Sequence, residues 1–253
     1  ATLSKAIIGD LLRGELGYEG IIQTDWGLNH TAAALAGADA LGGAGQRESK
    51  KLTQNLTDEQ FDERVGRLLK AKFELGLFEN PYVDVENAKA VVGSDAHYAL
   101  AKQAASEALT LVKYENVSPL AGQKLIVAGS LADDTAALSS GWKIAEYEAP
   151  SILDAITAKA GEANVTYIAD DLTQVAASYP AGTTAIVVVG EASGTHEPAW
   201  GTSTLEFPAA QIDMVKALKA AGVPVVTVAV MNRAYVMTPV AENSDALLLA
   251  YRP

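Results

Sequence analysis

The chain of 253 residues has no cysteine, so it contains neither disulfides nor thiolate metal ligands. Its lysines and arginines are scattered along the chain and its net charge is −12, which argues against the clustered basic surface that nucleic-acid binding needs. No apolar run reaches the roughly 18 residues that a bilayer-spanning helix requires. The three histidines, His30, His97 and His196, lie far apart without metal-ligand spacing. We therefore expect no metal site, no nucleic-acid partner and no membrane-spanning segment.

The composition that is present is typical of an α/β protein, with 49% hydrophobic residues and 21 glycines. From the helix “YALAKQAASEALTLVK” onward, predicted helices and strands alternate. Strands such as “AIVVVG” and “PVVTVAV” are continuously apolar, as in a parallel sheet covered on both faces. The pattern predicts a doubly wound sheet whose ligands lie beyond the carboxyl ends of the strands.

The chain before residue 80 has a different organisation. It predicts a helix over 3–16, a strand “IIQT”, a helix over “NHTAAALAGADAL” and a longer helix that begins with capping-box spacing at Thr57 and Gln60. One strand cannot satisfy its own backbone hydrogen bonds, so this region is predicted to be the tail of an α/β repeat. Residues 81–98 show no sustained period and predict a linker.

Asp25 comes directly after the predicted strand and directly before Trp26. The local pattern favours a helix cap, in which Asp25 or Thr24 accepts hydrogen bonds from the first amides of the next helix. The alternative is a catalytic carboxylate at the carboxyl-terminal mouth of a barrel strand, beside an aromatic platform for the substrate. The local sequence leaves both interpretations open.

A second set of candidates lies in the long loop after “TAIVVVG”, which carries Glu191, His196, Glu197 and Trp200. Long loops in compact domains are usually functional or disordered, and two carboxylates with two rings favour function. Trp142 follows two serines and a glycine, and is either a loop anchor or a stacking surface. Sequence alone does not decide between these two.

Together these stretches resemble glycoside hydrolase family 3, in particular its two-domain β-glucosidases and exo-β-glucanases. “LLRGELGYEGIIQTDWG” is similar to the segment that carries the family's nucleophile at the end of the seventh barrel strand. “GSLADD…SGWKI” resembles the segment that lends a tryptophan to the substrate slot, and “VVVGEASGTHE” resembles the acid/base loop. The resemblance implies the C-terminal part of a (β/α)8 TIM-like barrel over 1–80, the linker 81–98, and a mainly parallel α/β sandwich over 99–253.

By position, the resemblance makes Asp25 the nucleophile and Glu197 the acid/base, with Glu191 as the rival for the second role. The substrate-binding residues that it implies are Trp26, Trp142, His196 and Trp200. It implies a retaining mechanism that releases glucose from the non-reducing end of a β-linked glucoside or oligosaccharide, with no cofactor. Such a mechanism needs the two carboxyl groups about 5–5.5 Å apart.

The resemblance is incomplete, because only the last part of the family's eight-stranded barrel is present and no “KHF”-like sugar-binding stretch occurs. Three explanations stay open: a fragment of a longer polypeptide, a partner chain that supplies the remaining barrel segment, or a truncated relative without catalysis. The truncated relative would act as a carbohydrate- or protein-binding α/β module. A β-N-acetylglucosaminidase or β-xylosidase of the same family is the second alternative. The compartment stays open, with the periplasm or secretion favoured by the family.

Overall fold

The computed structural model describes residues 1–43, 45–139, 149–191, 204–231 and 233–251. It divides into two compact units, Ala1–Ala90 and Val91–Pro253. Within the described ranges, no helix is both long and apolar enough to cross a membrane.

The first unit is mainly helical. Its elements are a wide helix of the π type, Ala6–Glu15, followed by α1 His30–Ala36, α2 Gln46–Asn55 and α3 Asp58–Glu74. The predicted capping box of α3 is confirmed, because Gln60 N donates to Thr57 Oγ1 at 3.2 Å and Thr57 N donates to Gln60 Oε1 at 3.1 Å. These two bonds satisfy backbone and side-chain groups that would otherwise need water at the start of the helix.

Two predictions for residues 20–41 need correction. The stretch “IIQT” forms one isolated parallel bridge, Gln23 to Ala40, rather than a full strand. The predicted helix over “NHTAAALAGADAL” is too long, because α1 ends at Ala36 and Gly37 takes the left-handed conformation with φ +119°. A glycine there ends a helix without steric strain, so residues 39–41 are free to run beside 22–24.

The predicted linker contains regular structure. Helix α4 Val85–Val91 lies inside it and α5 Asp95–Ala108 begins in it. Asn87 N donates to Asp84 Oδ1 at 3.0 Å, so Asp84 caps the first turn of α4. Helix α5 is also shorter than predicted, because Thr110–Tyr114 leaves the helix to form strand β1.

The second unit is built on a six-stranded sheet. Its other strands are β2 Lys124–Ala128, β3 Val165–Ile168, β4 Thr183–Gly190, β5 Val225–Val230 and β6 Ala246–Tyr251. The spatial order is β1-β6-β5-β4-β2-β3, and among the described strands only the β1–β6 pair is antiparallel. The mainly parallel sheet predicted from the apolar strands is therefore confirmed.

Helices cover both faces of this sheet. The covering helices are α6 Thr135–Ser139, α7 Ile152–Ala160, α8 Ala209–Ala220 and α9 Thr238–Ala241. Helices α8 and α9 pack on one face and α6 and α7 on the other. All eight residues of β4 are buried as a result. This explains why its residues 185–190, “AIVVVG”, are apolar without interruption instead of alternating with polar residues.

Candidate active site

The first candidate region is the loop of residues 25–29, which joins the extended residues 22–24 to α1. Asp25 is exposed, and its Oδ1 accepts a hydrogen bond from Trp26 N at 2.8 Å. The Trp26 side chain is also on the surface, with 68% of the residue exposed. A carboxylate and an indole ring therefore stand side by side in solvent, at the end of an extended segment.

The helix-cap interpretation of this loop is wrong. Asn29 caps α1, because its Oδ1 accepts from Ala32 N at 3.1 Å. Thr24 is buried, and its Oγ1 accepts from Gly42 N at 3.0 Å instead of from a helix amide. Because Asn29, four positions after Asp25, caps α1, helix capping does not explain the aspartate at position 25.

Residues 22–24 are fixed by hydrogen bonds to residues 39–42. Ile22 O accepts from Asp39 N at 2.9 Å and from Ala40 N at 3.1 Å, and Thr24 N donates to Ala40 O at 3.0 Å. On the far side of the loop, His30 Nε2 lies 2.9 Å from Gly42 O. The Asp25 loop thus begins and ends at residues that contact the same neighbouring segment.

A buried carboxylate that sequence reasoning missed lies in that neighbouring segment. The Asp39 side chain is fully buried and accepts from Arg13 Nη2 at 2.5 Å, Arg67 Nε at 2.7 Å and Ile22 N at 2.8 Å. Arg64, three residues before Arg67 on α3, donates through Nε to Ala38 O at 3.1 Å. Burial lowers the pKa of Arg64, and the neighbouring Arg67 guanidinium lowers it further. The available signal was an acidic residue within “AGADAL” together with arginines spaced three apart on a helix.

The second candidate region lies at the carboxyl end of β4 in the second unit. Gly190 has φ +145°, and a Cβ there would stand 1.8 Å from Val230 O, so only glycine fits. The Gln211 side chain on α8 brackets this residue: its Oε1 accepts from Gly190 N at 2.9 Å and its Nε2 donates to Gly190 O at 3.1 Å. The backbone that leads into the long loop is therefore held from two sides.

Glu191, the next residue, is part of a buried ion pair. Its side chain is 5% exposed, and Oε2 accepts from Arg233 Nη2 at 2.6 Å, Arg233 Nε at 3.1 Å and Tyr235 Oη at 3.1 Å. The hydrogen bond to Glu191 raises the pKa of Arg233, and burial raises the pKa of Tyr235. The arrangement keeps Tyr235 as a phenol that donates and Glu191 as an acceptor.

Residues 205–207, which follow the predicted long loop in the sequence, contact the same residues. Val236 N donates to Leu205 O at 2.8 Å, and Phe207 stacks on Tyr235 with ring centroids 4.5 Å apart and planes at 16°. Residues 191 and 205–207 are thus both anchored on residues 233–236. The predicted site residues that lie outside the described ranges are Trp142, His196, Glu197 and Trp200. In the ranges that are described, no group of three or more histidine and acidic side chains could hold a metal ion.

Comparison with known proteins identifies the family of this chain. Residues 109–253 match the model of the glycosyl hydrolase family 3 C-terminal domain. The chain belongs to glycosyl hydrolase family 3. Over 148 aligned residues it is 36% identical to probable β-glucosidase C of Aspergillus flavus, with 47% of this chain and 23% of that protein covered.

Solved structures with the same fold cover all of this chain. One is the β-glucosidase of Listeria innocua in complex with glucose, with a TM-score of 0.80 and 24% identity over 39% of that chain. Another is the exo-1,3/1,4-β-glucanase of a Pseudoalteromonas species, with a TM-score of 0.81 and 24% identity over 35% of that chain. The present chain thus spans between 23% and 39% of the length of these relatives.

Proposed function

We propose that this chain carries part of the active site of a retaining β-glucosidase or exo-β-glucanase, with Asp25 as the nucleophile and Glu197 as the acid/base. The observation that carries the proposal is the position of Asp25. Its carboxylate is exposed at the end of an extended parallel segment, stands beside an exposed tryptophan and does not cap the adjacent helix. Residues 1–80 would be the C-terminal part of a barrel, and residues 99–253 the sandwich domain beyond the linker 81–98.

In the proposed reaction, an Asp25 carboxylate oxygen attacks the anomeric carbon while the glycosidic C–O bond breaks and Glu197 protonates the departing oxygen. Water then attacks the resulting glycosyl ester, with Glu197 removing its proton, and glucose leaves with its anomeric configuration retained. The proposed sugar contacts are stacking on Trp26 and Trp142, with His196 and Trp200 next to the acid/base. The barrel residues that complete the sugar site would come from the same polypeptide or from a partner chain.

The environment of Glu191 supports Glu197 over its rival. An acid/base must exchange a proton with the leaving group and then with water, which requires access to the substrate. Glu191 is instead almost fully buried, and one of its oxygens accepts three hydrogen bonds from Arg233 and Tyr235. These contacts suit an anchor for the loop that follows. Glu197 lies six residues later in the sequence.

The decisive experiment is to trap the intermediate on the full-length polypeptide. A 2-fluoro glucoside should add one sugar mass to the peptide that contains “GIIQTDWG”, because a nucleophile forms a covalent ester. Asp25→Asn should abolish the labelling and lower turnover by several orders of magnitude with little change in melting temperature. Asp10→Asn, an exposed acid on the first helix, is the matched control and should label like the parent.

Other outcomes would replace the proposal. Labelling of a different peptide would assign the nucleophile elsewhere. Absence of labelling and turnover on nitrophenyl glucoside, xyloside and N-acetylglucosaminide would favour the carbohydrate- or protein-binding module. Faster turnover of the xyloside or the N-acetylglucosaminide would keep the mechanism and change the sugar.

A further inference from the structure

Gly42 links the two ends of the Asp25 loop. Its N–H donates to Thr24 Oγ1 at 3.0 Å, and its carbonyl oxygen lies 2.9 Å from His30 Nε2. Thr24 comes directly before the five-residue loop 25–29, and His30 comes directly after it. One glycine therefore spans the base of the loop, and we call these two contacts the Gly42 bridge.

The chemistry of the bridge fixes the role of His30. A carbonyl oxygen only accepts hydrogen bonds, so His30 must donate through an Nε2–H. Both the tautomer with its proton on Nε2 and the imidazolium provide that donor. His30 is half-buried at the first residue of α1, whose alanines 33, 34 and 36 are buried. The Nε2–H donor of His30 therefore belongs to a helix whose alanine face is buried.

The bridge also places two glycines against the loop. A Cβ on Gly42 would stand 2.6 Å from Thr24 O and 3.1 Å from Asp25 C, and a Cβ on Gly43 would stand 2.3 Å from Trp26 Cδ1. Gly43 has φ +69°, a conformation that favours glycine in any case. The backbone of residues 42–43 therefore lies close to the Asp25 backbone and to the Trp26 ring. A shift of this backbone changes its packing against both residues.

We propose that His30 is a positioning residue that holds the Gly42–Gly43 backbone and thereby sets the position of Asp25 and Trp26. The catalytic part of this inference rests on the proposed role of Asp25. The structural part, that His30 closes the loop through Gly42, stands on the two contacts alone. Displacement of a reacting group by about 1 Å can lower a rate by about 100-fold, so a modest loosening of the bridge has a large effect on turnover.

The structural part is tested by hydrogen exchange on the full-length polypeptide. His30→Ala should speed exchange of the Gly42 and Thr24 amides, which are bonded to Thr24 Oγ1 and Ala40 O, and leave α3 unchanged. His30→Gln should restore much of the protection, because its amide nitrogen can donate at a similar reach. His97→Ala, on the exposed surface of α5, is the matched control and should match the parent. Parent-like exchange in His30→Ala would overturn the bridge, and so would faster exchange throughout the first unit.

The catalytic part is tested by turnover. His30→Ala should lower kcat about 10- to 100-fold, on nitrophenyl and on alkyl glucosides alike, because the attack by Asp25 is slowed whatever the leaving group. KM should change much less, and His30→Gln should recover most of the rate. Parent-like kcat despite a loosened loop would overturn the positioning role. A parent protein without turnover or labelling would contradict the proposed function instead, while hydrogen exchange would still decide whether the bridge exists.

Discussion

Replacement of Asp39 with asparagine is expected to destabilise the first unit by about 3 kcal/mol. In the structure, Asp39 Oδ2 accepts from Arg13 and from Ile22 N, while Oδ1 accepts from Arg67. An asparagine has one acceptor oxygen, so its NH2 group must face at least one of these donors. The substitution therefore removes the negative charge between two guanidinium groups and sets one N–H against another.

The magnitude follows from burial. Removal of one member of a buried ion pair costs about 3–5 kcal/mol. The lower end applies here, because Arg13 and Arg67 keep 15% and 20% of their side-chain area exposed and water can reach them. The Glu86–Lys89 pair on α4 is the matched control, with a similar distance of 2.8 Å but with side chains 81% and 68% exposed. Glu86→Gln should change stability by less than about 0.5 kcal/mol.

The loss of stability can be measured on the full-length polypeptide by hydrogen exchange and mass spectrometry over a series of urea concentrations. Peptides from residues 1–90 then report the free energy of unfolding of the first unit by itself. Asp39→Asn should move their protection to lower urea and leave the β4 and β5 peptides unaffected. A loss below about 1 kcal/mol, within the range of exposed pairs, would refute the argument that burial makes this carboxylate a structural centre.

Two further predictions concern the second unit. Glu197→Ala should strongly slow hydrolysis of alkyl glucosides and spare activated aryl glucosides, because the aryl leaving groups need little protonation to depart. Glu191→Gln should affect both substrates alike. The opposite ranking of the two variants would make Glu191 the acid/base. Burial raises the pKa of Tyr167, and the charges of Asp133 and Asp170 raise it further. As the pH rises, the unfolded chain therefore loses the Tyr167 proton at a lower pH than the folded chain does. The contribution of Tyr167 to the free energy of unfolding should be fully present below about pH 10 and should fall above it. Urea unfolding at pH 8 and pH 10.5 should show a smaller fall for Tyr167→Phe than for the parent or for the exposed control Tyr82→Phe, and equal falls in all three would contradict the shift.

The sandwich could be predicted from sequence because its signals are local. An apolar run of six to eight residues between turns gives a buried strand, and a helix with one apolar face must lie against it. β1 was missed because “TLVKY” continues the helical pattern of α5. Its strand character comes from pairing with β6, which lies more than 130 residues later in the chain. Long-range pairing of this kind leaves no mark on a short window of sequence.

The first unit shows what an amphipathic pattern leaves unspecified. The sequence of α3 predicts an apolar stripe of Phe61, Val65, Leu68, Leu69 and Phe73. Leu68 is half-buried in the structure, but the other four residues are 37–60% exposed. An apolar stripe indicates which face of a helix favours burial, but it does not indicate which element packs against that face. Exposed apolar faces of this extent are otherwise uncommon on folded proteins. The exposure supports the proposal that a further barrel segment packs against this unit.

The local sequence around Asp25 left two alternatives open, for a physical reason. A helix cap and a strand-end nucleophile both use a short carboxylate between a strand and a helix, so the residue types are the same. The deciding facts are which residue bonds the first amides of α1 and what lies behind the loop. Asn29 answers the first question, from four positions further along the chain. Gly42, which follows α1 in the chain, lies behind the loop and contacts Thr24 and His30. No rule of sequence spacing predicts these contacts. The exposed Asp25 carboxylate does not cap α1, and both ends of its loop contact Gly42. These observations support the proposal that Asp25 is the nucleophile, because attack on a substrate needs an accessible carboxylate in a defined position.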